Sequence, residues 1–184
     1  MGSTHDAHCL AIGRMIVAFQ SLEATLKSEL TLLMNNQLET PGGQLTYAMV
    51  AELPFRVTVR LAAALPGVFT LQKIVPVKPE SEVCLNQLFA ETADLLEKGL
   101  KMAGEVEERR NQVVHSHWFL GSGYVAPEGT MTRMKTKTKK GAVATTFDHE
   151  TLADLNSIAE SAEEAQRLIG MALRDYRQIA QAQW

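Results

Sequence analysis

With 184 residues, 46% of them hydrophobic and only 6% aromatic, the chain can build one domain with a sizeable core and is short for two. Charged residues make up 21% and the formal net charge is -3, which excludes an intrinsically disordered chain and a strongly basic, generic nucleic-acid binder. No apolar run reaches the roughly 18 to 20 residues of a membrane helix, and MGSTHDAHC has neither the basic start nor the apolar core of a secretory signal. A soluble, cytoplasmic protein with no membrane partner is expected. Cys9 and Cys84 fall in separate helical segments, a usage that indicates no disulfide framework.

From residue 10 to 33 the apolar positions Leu10, Met15, Phe19, Leu22, Leu26 and Leu30 recur at helical steps and predict an amphipathic helix ended by Asn35 and Asn36. The turn-like PGG at 41 to 43 leads into two helical pieces, 44 to 53 and 55 to 65, broken by Pro54, and Pro66-Gly67 is expected to stop the second. Pro76 and Pro79 mark a short linker. A long helix then starts near Ser81 and runs to His115, about 50 Å if continuous, with a bend expected at Gly99 or Gly104.

Residues 117 to 147 change character. Gly121, Gly123 and Gly129 punctuate them, and Arg133, Lys135, Lys137 and Lys139 alternate with Met and Thr in the period of a strand, before a turn at Lys140-Gly141. A β-hairpin or three-stranded meander is expected, on which Trp118 and Phe119 pack against the bundle. Asp148 can cap the last helix, with Phe147 and Leu152 as its hydrophobic staple. The predicted fold is all-α: an up-and-down helical bundle of four to five helices in a single domain, 1–184, with 117–147 as a hairpin inserted before the last helix.

The chemistry-bearing stretch is EERRNQVVHSHW, residues 107 to 118. On a helix Asn111 and His115 share a face, and Arg110 reaches the same space. Steps of four and three from Val106 land on Arg110 and then Val113, so a cation stands where the core rhythm expects Leu or Ile. An unpaired buried guanidinium is costly, so Arg110 must meet a carboxylate such as Glu107 or Glu23, a cleft, or another subunit. Its structural explanation is such a pair, with His115 answering the helix dipole.

Arg110, Asn111, Gln112, Val113, Val114 and His115 spell Arg-polar-x-x-x-His at the end of a long helix before a final one. In this the chain resembles the HEPN superfamily (higher eukaryotes and prokaryotes nucleotide-binding), small helical bundles, many of them metal-independent endoribonucleases that act as dimers. The resemblance implies a catalytic set of Arg110, Asn111 and His115, no cofactor, RNA or a nucleotide as ligand, a homodimer, and a toxin or defence role with an antitoxin protein as partner. The residue types suit that chemistry: a histidine as general acid or base near neutral pH, and an arginine fork for phosphate oxygens. Arg133, Lys135, Lys137 and Lys139 repeat at roughly 7 Å along one strand face and form a weaker candidate RNA-binding row, or else guard an edge strand against aggregation.

Two other readings stay open: a non-catalytic HEPN-like module binding nucleotide, RNA or protein, and a structural helical dimerisation protein. Metal binding is not expected, since neither His115 with His117 nor His5, His8 and Cys9 has a completing ligand, and the latter group reads as a solvated tail. No Gly-rich phosphate loop, GxSxG elbow or cysteine-nucleophile motif occurs.

Overall fold

The structure, a computed structural model, describes residues 3–35, 39–71, 79–119, 127–139 and 142–182. Among them are helices α1 (Ser3–Met34), α2 (Pro41–Ala51), α3 (Phe55–Leu71), α4 (Pro79–Val114) and α5 (Leu152–Ala182). Strands β1 (His117–Phe119), β2 (Thr130–Lys139) and β3 (Ala142–Thr151) form an antiparallel sheet in the order β1-β2-β3, inserted between α4 and α5. The chain is thus the mostly helical bundle with a sheet before the final helix that the sequence predicts. It divides into two compact units, Met1–Phe19 with Glu105–Ala162, and Gln20–Gly104 with Glu163–Trp184.

In the first unit the core is Ala11, Met15, Ala18 and Phe19 of α1, Val106 and Val113 of α4, and Leu155, Ile158 and Ala159 of α5. The region predicted to be a solvated tail is helix instead. His8 continues the three- and four-residue rhythm back from Ala11 and Met15 and is only 1% exposed, while Cys9 faces solvent with its Sγ 3.8 Å from the His5 ring. The sheet packs by alternation. Met131, Arg133 and Glu150 are buried on one face, and β2 and β3 are in a register that sets Arg133 opposite Asp148 and Lys139 opposite Ala142. The expected Lys140-Gly141 turn, Gly121 and Gly123 lie outside the described residues. At the other turn Gly129 takes a φ of 77°, the left-handed conformation glycine enters without strain, and Thr130 N donates to Pro127 O at 3.1 Å.

The start of α5 differs from the expected Asp148 cap, because β3 runs on to Thr151. Thr151 Oγ1 accepts from Asp154 N at 3.0 Å, and Asp154 Oδ2 accepts from Thr151 N at 3.0 Å, a reciprocal cap in the sense of the capping box. The Thr151 hydroxyl, and then its amide, hold the Asp154 carboxyl below its ordinary range. Phe147 stays in the sheet, its ring centroid 6.0 Å from that of Phe119.

In the second unit the core is Leu22, Leu26 and Leu30 of α1, Val50, Phe55 and Ala62 of α2 and α3, Leu96 and Leu100 of α4, and Leu168 to Ile179 along the stripe of α5. α1 ends at Met34, with Asn35 N donating to Thr31 O at 2.8 Å; Asn36 lies outside the described residues. The PGG turn is instead the first turn of α2: Thr40 is its N-cap, accepting from Gly43 N at 3.2 Å, and Pro41 sits where a helix lacks an amide partner anyway. Lys27 Nζ donates to Ala51 O at 2.8 Å, setting a cation on the carbonyl end of α2. Pro54 separates α2 from α3 as expected, but Pro66 does not stop α3, which continues to Leu71. A proline inside a helix forfeits one amide bond and crowds the preceding turn, and α3 runs on past it with Gly67 and Val68 exposed. Pro76 lies outside the described residues, and Pro79 is the first residue of α4 rather than part of a linker.

One expectation about membranes is corrected. Among the described residues one helix, over His5–Met34, is long and apolar enough by length and composition to cross a membrane. On it Met15, Leu22 and Leu26 are fully buried, while Leu10 and Val17 are exposed.

Gly99, where a bend is expected, marks a close approach between α4 and α5. A Cβ there would stand 2.8 Å from Ile169 Cγ1 and 3.2 Å from the Ile169 backbone nitrogen, whereas at Gly104 it would meet nothing within 4 Å. Alanine gains roughly 1 kcal/mol over glycine inside a helix, and overpacking against a backbone atom costs about 1–3 kcal/mol. Gly99→Ala should therefore lower stability in urea denaturation, while Gly104→Ala should raise it by up to about 1 kcal/mol; the opposite order would refute the packing described.

Tyr176, fully buried with its ring edge-on to Phe89 at 5.6 Å, has its phenol pushed by burial from 10.0 up to about 12. An unfolded tyrosine ionises first, so this contribution to stability is complete below about pH 10 and is lost as pH rises through about 12. Tyr176→Phe should flatten the alkaline limb of the pH-stability curve, followed by circular dichroism. An unchanged limb would show that Tyr176 does not set it.

Candidate functional site

The predicted signature sits at the carboxyl end of α4. Val106 and Val113 are buried, and Arg110 lies between them half-buried, so the interruption read in the sequence is real in three dimensions. Its guanidinium carbon stands 5.1 Å from the centroid of the buried Phe19 ring, a cation-π contact. Nη1 donates to Asn111 Oδ1 at 2.9 Å, and Nε is buried without a hydrogen-bond partner among the described residues. Glu23, one of the carboxylates considered for Arg110, is bound by Lys27 Nζ at 2.8 Å.

His115 stands in the turn just beyond α4. Its amide donates to Asn111 O at 3.1 Å, which carries the helical ladder one bond further and seats His115 one turn above Asn111, with the residue exposed. Asn111 therefore links the set, holding Arg110 by its side chain and His115 by its backbone. A fixed cation and a solvent-facing imidazole at one helix end can meet a phosphate and exchange a proton with its neighbouring oxygens.

A second group of residues, absent from the sequence expectations as a site, ties this helix end to the sheet. Arg133 is 4% exposed and Glu150 3%. Arg133 Nε donates to Glu150 Oε1 at 2.8 Å and its Nη2 meets Asp148 Oδ2 at 2.9 Å, while Nη1 reaches Ser116 Oγ and Gln112 O, each at 3.4 Å. Arg109 Nη2 donates to the other oxygen of Glu150 at 3.2 Å. Two cations thus face two carboxylates. The last carbonyls of α4 are served as well, Gln112 O by the Ser116 hydroxyl and Val113 O by Trp118 Nε1 at 3.0 Å. The buried cation at this carboxyl end also complements the helix dipole.

The basic row predicted along β2 is divided by this arrangement. Arg133 belongs to the buried ion-pair network and not to a solvent-facing row, because the sheet face it shares by alternation packs inward at that point. Lys135 is half-buried, paired in register with Thr146, and the side chains of Lys137 and Lys139 lie outside the described residues. Trp118 packs inward as expected. Phe119 does not: it is 40% exposed on the opposite face beside Phe147 at 42%.

The chain matches no protein-family model, no curated protein and no solved structure.

Proposed function

We propose that the protein is a metal-independent endoribonuclease of HEPN type, in which Arg110 and His115 carry the chemistry and Asn111 positions both. The observation that supports this most is the one-sided holding of Arg110. Its face is seated on Phe19 and one nitrogen on Asn111, one helical turn before an exposed histidine. A guanidinium oriented in advance costs little reorganisation when negative charge builds up on phosphorus.

In the proposed reaction the 2'-oxygen of one ribose attacks the adjacent phosphorus. The P–O5' bond breaks, leaving a 2',3'-cyclic phosphate on one product and a 5'-hydroxyl on the other. His115 takes the 2'-hydroxyl proton or delivers one to the departing 5'-oxygen, and Arg110 holds the non-bridging oxygens. The nucleophile is the substrate's own hydroxyl, so the scheme needs no cofactor to generate one. A homodimer would bring two histidines to one cleft, one for each proton transfer. A cytoplasmic toxin or defence role, held in check by an antitoxin, follows from the same resemblance.

A second reading is a non-catalytic module of the same kind that binds RNA or a nucleotide. It is favoured by one observation: among the described residues no side chain hydrogen-bonds the His115 ring to orient it. Incubating the purified protein with a mixed RNA pool in EDTA separates the two. The enzyme yields new ends bearing 2',3'-cyclic phosphate and leaves DNA of the same sequences intact. Salt-sensitive binding without new ends would favour the module.

A further inference from the structure

We infer that the open edge of β3 pairs with the same edge of a second copy of the chain, antiparallel about a two-fold axis through Thr145, so that two three-stranded sheets join into one of six strands. In the order β1-β2-β3, β3 is paired on one side only among the described residues. An edge strand presents a row of backbone donors and acceptors, a template for another strand. The outer half of the hairpin is also thinly supported. β1 covers β2 only at Thr132, Arg133 and Met134, and beyond it Thr136, Val143, Ala144, Thr145 and Thr146 are all exposed. Two strands with neither face packed are marginal by themselves, and a further strand is what stabilises them.

Charge and register select a second copy as the occupant. Edges that stay single are guarded by charged side chains, lysine above all. On β2, whose far side is open beyond β1, Lys135, Lys137 and Lys139 stand in the guarding positions, whereas β3 carries no charge from Ala142 to Phe147. Pairing about Thr145 sets Phe147 opposite the partner's Val143 and Thr145 opposite the partner's Thr145, all on the face that carries Phe119. Aromatic with β-branched and Thr with Thr are cross-strand pairs that stabilise antiparallel sheets. On the other face Ala144 meets the partner's Thr146 and Asp148 meets the partner's Ala142, so no like charges stand opposite one another. Val143, 67% exposed, gains an apolar neighbour by this pairing. The same edge serves both copies, so the assembly closes after two. The contact is separate from one that would pair two histidines: β1, which begins two residues after His115, comes to lie at each far edge of the joined sheet, five strand steps or roughly 24 Å from its copy.

The test uses the full-length chain and two kinds of substitution at Thr145, which is exposed, with circular dichroism to follow the fold. Residues directly opposite in an antiparallel pair have Cα atoms about 4.5 or 5.5 Å apart, within the span of a disulfide. In a chain carrying Cys9→Ser and Cys84→Ser, mild oxidation should therefore link Thr145→Cys into covalent dimers. Thr136→Cys, on the same face but one strand inward at the register position of Thr145, should stay unlinked. Thr145→Lys sets two cations directly opposite each other and should halve the mass read by sedimentation equilibrium, while Thr136→Lys should leave it unchanged. A monomeric wild type, an unchanged mass in Thr145→Lys, or cross-linking no better at position 145 than at 136 would overturn the pairing. None of these readouts depends on RNA cleavage, so the pairing and the ribonuclease reading stand or fall separately.

Discussion

Replacing Arg110 by Ala should lower metal-free RNA cleavage about 10²- to 10³-fold, the loss expected when a pre-placed donor to developing charge is removed. Arg110→Lys should recover only part of it. A lysine keeps the charge but cannot lay a planar fork across Phe19 while donating to Asn111 Oδ1, the two contacts that aim the guanidinium. Because Arg110 is half-buried, single-turnover cleavage should be read beside a urea melt. The account requires Arg110→Lys to lose rate with its fold intact. Full activity in either variant would show that Arg110 has a structural role only.

Glu150→Ala should have the largest effect on stability, about 3–5 kcal/mol, as expected when one partner of a buried ion pair is removed. Glu150 holds both Arg133, itself 4% exposed, and Arg109, so its loss leaves two cations with one remaining carboxylate, the half-exposed Asp148. That is a large fraction of the roughly 5–15 kcal/mol by which a domain is stable. The double variant Arg133→Met with Glu150→Leu should recover most of the loss, since replacing both buried charges by apolar groups of similar size removes the uncompensated one. Urea denaturation measures both. A loss below about 1 kcal/mol for Glu150→Ala would mean that the network does not hold the sheet on α4. The same variant should slow cleavage, because Gln112 and Ser116, which Arg133 grips, lie on either side of His115 in the chain.

Much of this arrangement is legible in the sequence. The break of apolar rhythm at Arg110 locates the half-buried cation, and the Arg/Lys alternation locates β2. The partners of Arg133 are also within reach of a sequence argument. A two-residue turn at 140 and 141 carried back along both strands sets Arg133 opposite Asp148, the register observed. What alternation cannot tell is which part of a strand face is covered, so Arg133 reads as one of a row of exposed cations when the bundle buries it and leaves Phe119 outside.

The remaining differences have local causes. His8 falls on the step of three before Ala11, but a histidine carries no apolar signal, so α1 reads as starting late. Thr151-x-x-Asp154 is a capping pattern as strong as the one centred on Asp148, and only the length of β3 chooses between them. Pro66 is a stop signal by local rules, yet α3 continues through it to Leu71. Phe19 under Arg110 joins residues 91 apart in the sequence, a contact no spacing rule supplies.

The central claim is that Arg110, Asn111 and His115 form a metal-independent RNA-cleaving site, and it is tested most directly by single-turnover cleavage of RNA in EDTA by the wild type and by His115→Ala. The account predicts cyclic-phosphate ends from the wild type and a rate about 10²- to 10⁴-fold lower in the variant, with the fold retained because His115 is exposed. Equal cleavage by both proteins, or none by the wild type at high concentration across varied RNAs, would contradict it.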